Sequence, residues 1–180
     1  TVTLEAGELA EGVGIVQLQQ DDKVEAAIVV GDGTISEHAG ASCWSIKQSY
    51  PNSPDGTYWV QTPALIAPMR VYCDMTTDGG GWVLVGRGRD GWNWPSTGQG
   101  VQSAIATTPS GTDAFGVAAY SNKIIDGLLN NTRPDSLADG IRLRRATNNT
   151  GTSWQDIRWK LEGPRPGFGG RDKWTWAFGA

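Results

Sequence analysis

Arg70-Val71-Tyr72-Cys73-Asp74-Met75, followed after three residues by Gly79-Gly80-Gly81-Trp82-Val83-Leu84-Val85, is the stretch that decides how this chain folds. The first six residues alternate as a strand does, with Val71 and Cys73 on one face and Tyr72 and Asp74 on the other. The three glycines let the backbone turn tightly before residues 82–85 enter the core as a further strand. Upstream, Ser53-Pro54-Asp55-Gly56 is a turn, because Pro fixes one corner φ and Gly accepts a positive one. Thr57-Tyr58-Trp59-Val60-Gln61 then alternates as a strand in its turn.

Around this centre lie 180 residues with 25 Gly, nine Trp and 19% charged side chains. That is the size of one domain, or of one domain with an appendage, and it is large enough to bury a core. Gly and Pro are too sparse and too aperiodic for collagen or low complexity. No apolar run approaches the ~20 residues of a membrane helix. No basic, apolar signal segment opens the chain at Thr1, which reads as a mature protein or an excised piece. A net charge of −4 argues against a nucleic-acid partner.

The charge is unevenly placed. Residues 1–40 hold eight acidic groups and one basic one, and no aromatic residue; residues 41–180 are net basic and hold every aromatic, beginning at Trp44. The composition therefore divides the chain into an acidic segment, 1–40, and a body, 41–180. Within the first part Thr1-Val2-Thr3-Leu4, Val16-Gln17-Leu18-Gln19 and residues 26–30 read as short β-strands. So few large apolar residues cannot hold a core alone, so the segment must pack on the rest of the chain or on another chain.

Downstream, Ser121 is an N-cap for a short helix with apolar residues at 124, 125, 128 and 129, ending at Asn130-Asn131. Ile141-Arg142-Leu143-Arg144-Arg145 and Asp156-Ile157-Arg158-Trp159-Lys160-Leu161 alternate as strands with one wet face. The class is α+β, dominated by strands. Cys43 and Cys73 are compatible with one disulfide or with two free thiols, and neither sits in a metal-binding or redox spacing. Asn130 and Asn148 each open an Asn-x-Thr sequon.

Cys43, Asp55-Gly56-x-Tyr58, residues 71–75 and Gly79-Gly80-Gly81-Trp82, in that order, resemble the opening signature of the fibrinogen C-terminal-like domain family. The resemblance is strong over residues 41–90 and extends plausibly to Ala180, with Trp174-Thr175-Trp176-Ala177-Phe178-Gly179 as a later core strand. It implies a Cys43–Cys73 disulfide across two opening strands, a first hairpin turn at Asp55-Gly56 and a core anchor at Trp82. It also implies an extracellular or cell-surface address, since such bridges persist under oxidising conditions. Relatives keep their calcium loop and ligand pocket in a C-terminal part that looks missing or shortened here. Calcium is therefore possible, but no site is identifiable and no cofactor is assigned.

Candidate chemistry is sparse. Gly86-x-Gly88-x-x-Gly91 has the spacing of a dinucleotide loop, yet Trp92-Asn93-Trp94-Pro95 follows where a helix should. The one histidine, His38, stands far from any nucleophile elbow. No acidic pair has the setting of a glycosidase. Asp74 with Asp78, and Asp135 with Asp139, are the nearest approach to a calcium loop and lack its acidic density. The chain reads as non-enzymatic, with no catalytic or metal residues. Trp92 and Trp94, two apart on a strand face, are candidates for stacking on sugar rings, set against ordinary core packing. Arg142 and Arg144 form a basic face suited to an acidic neighbour. The expected function is a secreted or surface module that binds glycan or extracellular protein. The alternative is a subunit of a fibre or surface array, a homo-oligomer in which residues 1–40 pack on a neighbour.

Overall fold

The structure, a computed structural model, describes residues 31–93, 95–132 and 136–160. The strands expected within residues 1–30, the later strand at 174–179, Trp94 and Asp135 lie outside the described residues. The chain divides into two compact units, Thr1–Leu84 and Val85–Ala180.

In the first unit, strand β1 (Gly56–Val60) pairs antiparallel with β2 (Met69–Asp74), from Gly56 opposite Cys73 to Val60 opposite Met69. Strand β3 (Trp82–Val83) adds to the other side of β2, with Cys73 opposite Val83 and Asp74 opposite Trp82. The alternation read from the sequence buries Tyr58, Val60, Val71 and Cys73, with Met75 just beyond the strand. Helix α1 (Cys43–Ser49) contributes Cys43 and Ile46 to the same core.

This helix corrects the expectation of a bridge across two strands. Cys43 is the first residue of a helix, and the Cys43–Cys73 disulfide ties that helix to β2 across a Cα–Cα distance of 5.6 Å. The local cause is a capping box: the Ser42 hydroxyl accepts from the Ser45 N–H, and the Ser45 hydroxyl accepts from the Ser42 N–H.

The turn at Asp55-Gly56 also differs from the expected first hairpin. It leads from α1 into β1, and the Asp55 carboxylate accepts from the Met75 N–H at 2.6 Å and the Thr76 hydroxyl at 3.0 Å. The start of β1 is thereby fastened to the end of β2. The β1–β2 connection is residues 61–68, where the Gln61 side-chain amide donates to the carbonyls of Thr62 and Leu65.

Gly79, Gly80 and Gly81 all have positive φ, at 90°, 75° and 81°. A Cβ on Gly80 would stand 2.1 Å from the Met75 carbonyl oxygen, and one on Gly81 2.9 Å from the Trp44 Cα. The turn therefore needs glycine for conformation and for space. Trp82 is half-buried rather than a core anchor, because its register opposite Asp74 takes it off the Val71–Cys73 face. Its indole N–H donates to the Thr77 carbonyl.

Residues 31–40 run along the outer edge of β1. Trp59 N–H donates to the Gly33 carbonyl, Gly40 N–H to the Trp59 carbonyl, and Gln61 N–H to the Gly40 carbonyl. The hydrogen bonding runs straight through the change of composition at Gly40–Ala41.

In the second unit, β4 (Gly86–Arg87) pairs antiparallel with β5 (Ala118–Ala119), beside helix α2 (Ala104–Thr107). The core is Ile105, Ala106, Ala114, Tyr120, Ile125 and Leu128. Helix α3 (Asn122–Leu128) forms where the sequence placed it, with the Ser121 hydroxyl accepting from the Ile124 N–H. It stops at Asn130 and Asn131, both left-handed. Strands β6 (Ile141–Ala146) and β7 (Trp154–Trp159) form an antiparallel hairpin of six residue pairs. Seven strands and three short α-helices among the described residues make the class α+β and strand-dominated.

Candidate functional site

The loop that carries Trp92 is built from glycine contacts and two side-chain amides. Gly88 lies against Val117, where a Cβ would come within 2.8 Å of the Val117 Cα. Arg89 N–H donates to the Phe115 carbonyl, and its guanidinium lies over the Phe115 ring at 5.1 Å. Gly91, at φ 78°, then turns the chain outward. Among the described residues no helix starts before Ala104, which removes the dinucleotide reading: Gly88 and Gly91 serve a close approach and a turn.

Trp92 sits in irregular backbone rather than on a strand, and it is 36% exposed. Its two neighbours are held by one side chain. Gln99 Oε1 accepts from the Asn93 N–H at 3.0 Å, while Gln99 Nε2 donates to the Gly91 carbonyl at 2.8 Å. Gln99 is itself fixed by a two-way backbone bridge to Ala119, 2.9 Å in each direction. Gln102 repeats the device, donating to the Thr97 carbonyl and accepting from the Ser121 N–H. A part-exposed indole thus stands between neighbours whose backbone is held by a single side chain.

Arg142 and Arg144 lie on one face of β6, as expected. Arg144 Nε is 3.0 Å from an Asp156 carboxylate oxygen directly across the hairpin, and its guanidinium lies 5.2 Å from the Trp154 ring centre. Arg142 stands opposite Arg158. At the hairpin tip, the Asn148 side chain accepts from the N–H groups of Thr152 and Ser153 and donates to the Thr152 hydroxyl. Arg89 donates to Asn149, which links the Trp92 loop to this tip.

His38 ends a single 3-10 turn, Ser36–His38, in the first unit. In the same segment the backbone N–H of Thr34, with its hydroxyl, donates to the Asp32 carboxylate and holds that carboxyl below its ordinary range. Asp74 is buried, with its carboxylate accepting from the N–H groups of Thr76 and Thr77. That carboxylate caps a turn. Among the described residues no group of three or more His, Cys, Asp and Glu side chains is placed to hold a metal ion.

Gln99 and Gln102 are the loop-holding residues that sequence reasoning missed. Polar residues in a Gly-rich loop carry no periodic signal, and only coordinates show what their amides span.

The geometry defines a disulfide-tied, glycine-turned α+β scaffold that presents an ordered loop. Residues 42–96 match the family described as fibrinogen beta and gamma chains, C-terminal globular domain. The match, about a third of the chain, takes in α1, the β1–β2–β3 sheet, the disulfide and the loop around Trp92, so this region is similar to the opening part of that domain. Over 49 residues the chain is 43% identical to angiopoietin-4 of Mus musculus, which covers 27% of this chain and 9% of that protein.

Proposed function

We propose that the chain is a non-enzymatic recognition module of a secreted or cell-surface protein, binding glycan or extracellular protein through the loop around Trp92. The observation that carries this reading is the Gln99 clamp on both neighbours of an exposed indole. The fibrinogen-like match at 42–96 and the disulfide support the extracellular address. A part-exposed indole beside fixed backbone offers a sugar ring or an apolar side chain a stacking surface.

The test is a glycan array and a panel of matrix proteins probed with the full chain, with and without calcium. Trp92→Ala is expected to abolish the signal and Gln99→Ala to weaken it at unchanged secondary structure. A bound ligand retained by Trp92→Ala would place recognition elsewhere. Loss of the signal on calcium removal would add a cation to the site.

A further inference from the structure

The β6–β7 hairpin carries an interaction surface that the Trp92 reading does not use. Its residues alternate between two faces over 141–144 and 156–158, beyond which Arg145 and Gln155 extend the apolar face and Ala146 and Trp154 the charged one. Arg142, Arg144, Asp156 and Arg158 share one face, and Ile141, Leu143 and Ile157 share the other. Leu143 and Ile157 stand directly opposite each other and are 42% and 59% exposed. Among the described residues no third strand pairs with either edge. A two-stranded hairpin is marginal in water, and an exposed apolar face favours strand addition.

Charge identifies the occupant. Residues 141–160 carry five basic groups and one acidic group, whereas residues 1–30 carry six acidic groups and one basic group. Residues 161–180 carry three basic and two acidic groups and offer no comparable complement of charge. The opening Thr1-Val2-Thr3-Leu4-Glu5 has the matching alternation. Laid beside the hairpin, Val2 and Leu4 extend the Leu143–Ile157 face while Glu5 falls on the arginine face.

We infer that the β6–β7 hairpin accepts, as an added strand, the acidic N-terminal segment of a second copy of this chain. Donor and acceptor patches then differ, so the contact is head-to-tail and propagates into an open assembly.

The experiment uses the full chain. Its mass is followed by light scattering at ~50 mM and ~500 mM salt, which screens the charge attraction. Ile157→Lys, at an exposed position, is expected to weaken association about tenfold with its circular dichroism unchanged. Ile157→Thr, a good strand former, gives a milder loss and guards against misfolding. Carbodiimide coupling of Lys160 to carboxylates is then mapped on a mixture of unlabelled and 15N-labelled chains. Links from Lys160 to Glu5, Glu8 or Glu11 between differently labelled chains support the proposal. A monomer under all conditions, association indifferent to both variants, or links confined to one chain each overturn it.

Discussion

At Arg87 a single cation closes part of the second unit. The side chain is only 9% exposed, and its guanidinium donates to the carbonyls of Ala104, Ala114 and Gly116 and to the Thr108 hydroxyl. Burial lowers its pKa, but arginine stays charged throughout the accessible range. Arg87→Met takes the guanidinium donor from the Ala114 and Gly116 carbonyls, while Ala104 keeps the Thr108 N–H and hydroxyl, and is expected to cost about 3 kcal/mol in urea unfolding. Arg87→Lys keeps the charge, loses the fork and falls between the two. A loss below about 1 kcal/mol for the Met variant would show that the cage is not structural. Nearby, burial pushes the Tyr120 hydroxyl up to about 12. The native state holds that proton above the unfolded value near 10, so stability is full below pH ~10 and falls as pH rises towards ~12. Tyr58 is raised by burial in the same direction. Because the Tyr120 hydroxyl has no hydrogen-bond partner among the described residues, Tyr120→Phe should be near neutral at pH 7. The same variant should flatten much of the alkaline loss.

Between single residues and the whole chain, glycines and amides decide the elements. Gly79 and Gly80 share a positive φ but not the same surroundings, since a Cβ on Gly79 meets nothing within 4 Å. Gly79→Ala therefore costs only the backbone strain, about 1 kcal/mol. Gly80→Ala adds a collision with the Met75 carbonyl and should cost several times more, or lose the fold, as read from thermal midpoints. This turn was legible because only glycine accepts such a backbone. The β1 and β2 strands and α3 were legible for a related reason: strict alternation or an N-cap before an apolar run admits few readings. Helix α1 was not, because its start signal is a Ser42–Ser45 box lacking the usual acidic partner, and seven residues are too short for a period. The Trp92 loop was legible as a loop and as a candidate, but the clamp that holds its backbone rests on Gln99, whose role depends on where Ala119 stands.

For the molecule as a whole, residues 82–85 are where reading by pattern fails most instructively. They look like one strand, yet Leu84 N–H bonds to the Tyr72 carbonyl in the first unit and the Val85 carbonyl accepts from Tyr120 in the second. Adjacent residues thus serve different sheets, and no local composition marks the change. The composition breaks instead near residue 40, where charge and aromatics shift together. Each unit has internal fasteners of its own: the Cys43–Cys73 bridge in one, the Arg87 cage in the other. Breaking either therefore tests whether protection follows the units. The bridge closes a separation of 30 residues, and its loss removes about 3.5 kcal/mol in the chain-entropy account. Reduction, or a Cys43→Ala, Cys73→Ala double variant, is expected to speed amide exchange in β1, β2 and α1. Exchange in β5 and α3 should stay close to its rate in the oxidised chain, because cooperative opening follows contiguous packing units. Arg87→Met reverses the pattern. Equal acceleration in both units from either lesion would mean the chain opens as one cooperative body, and the division at Leu84–Val85 would then have no energetic meaning.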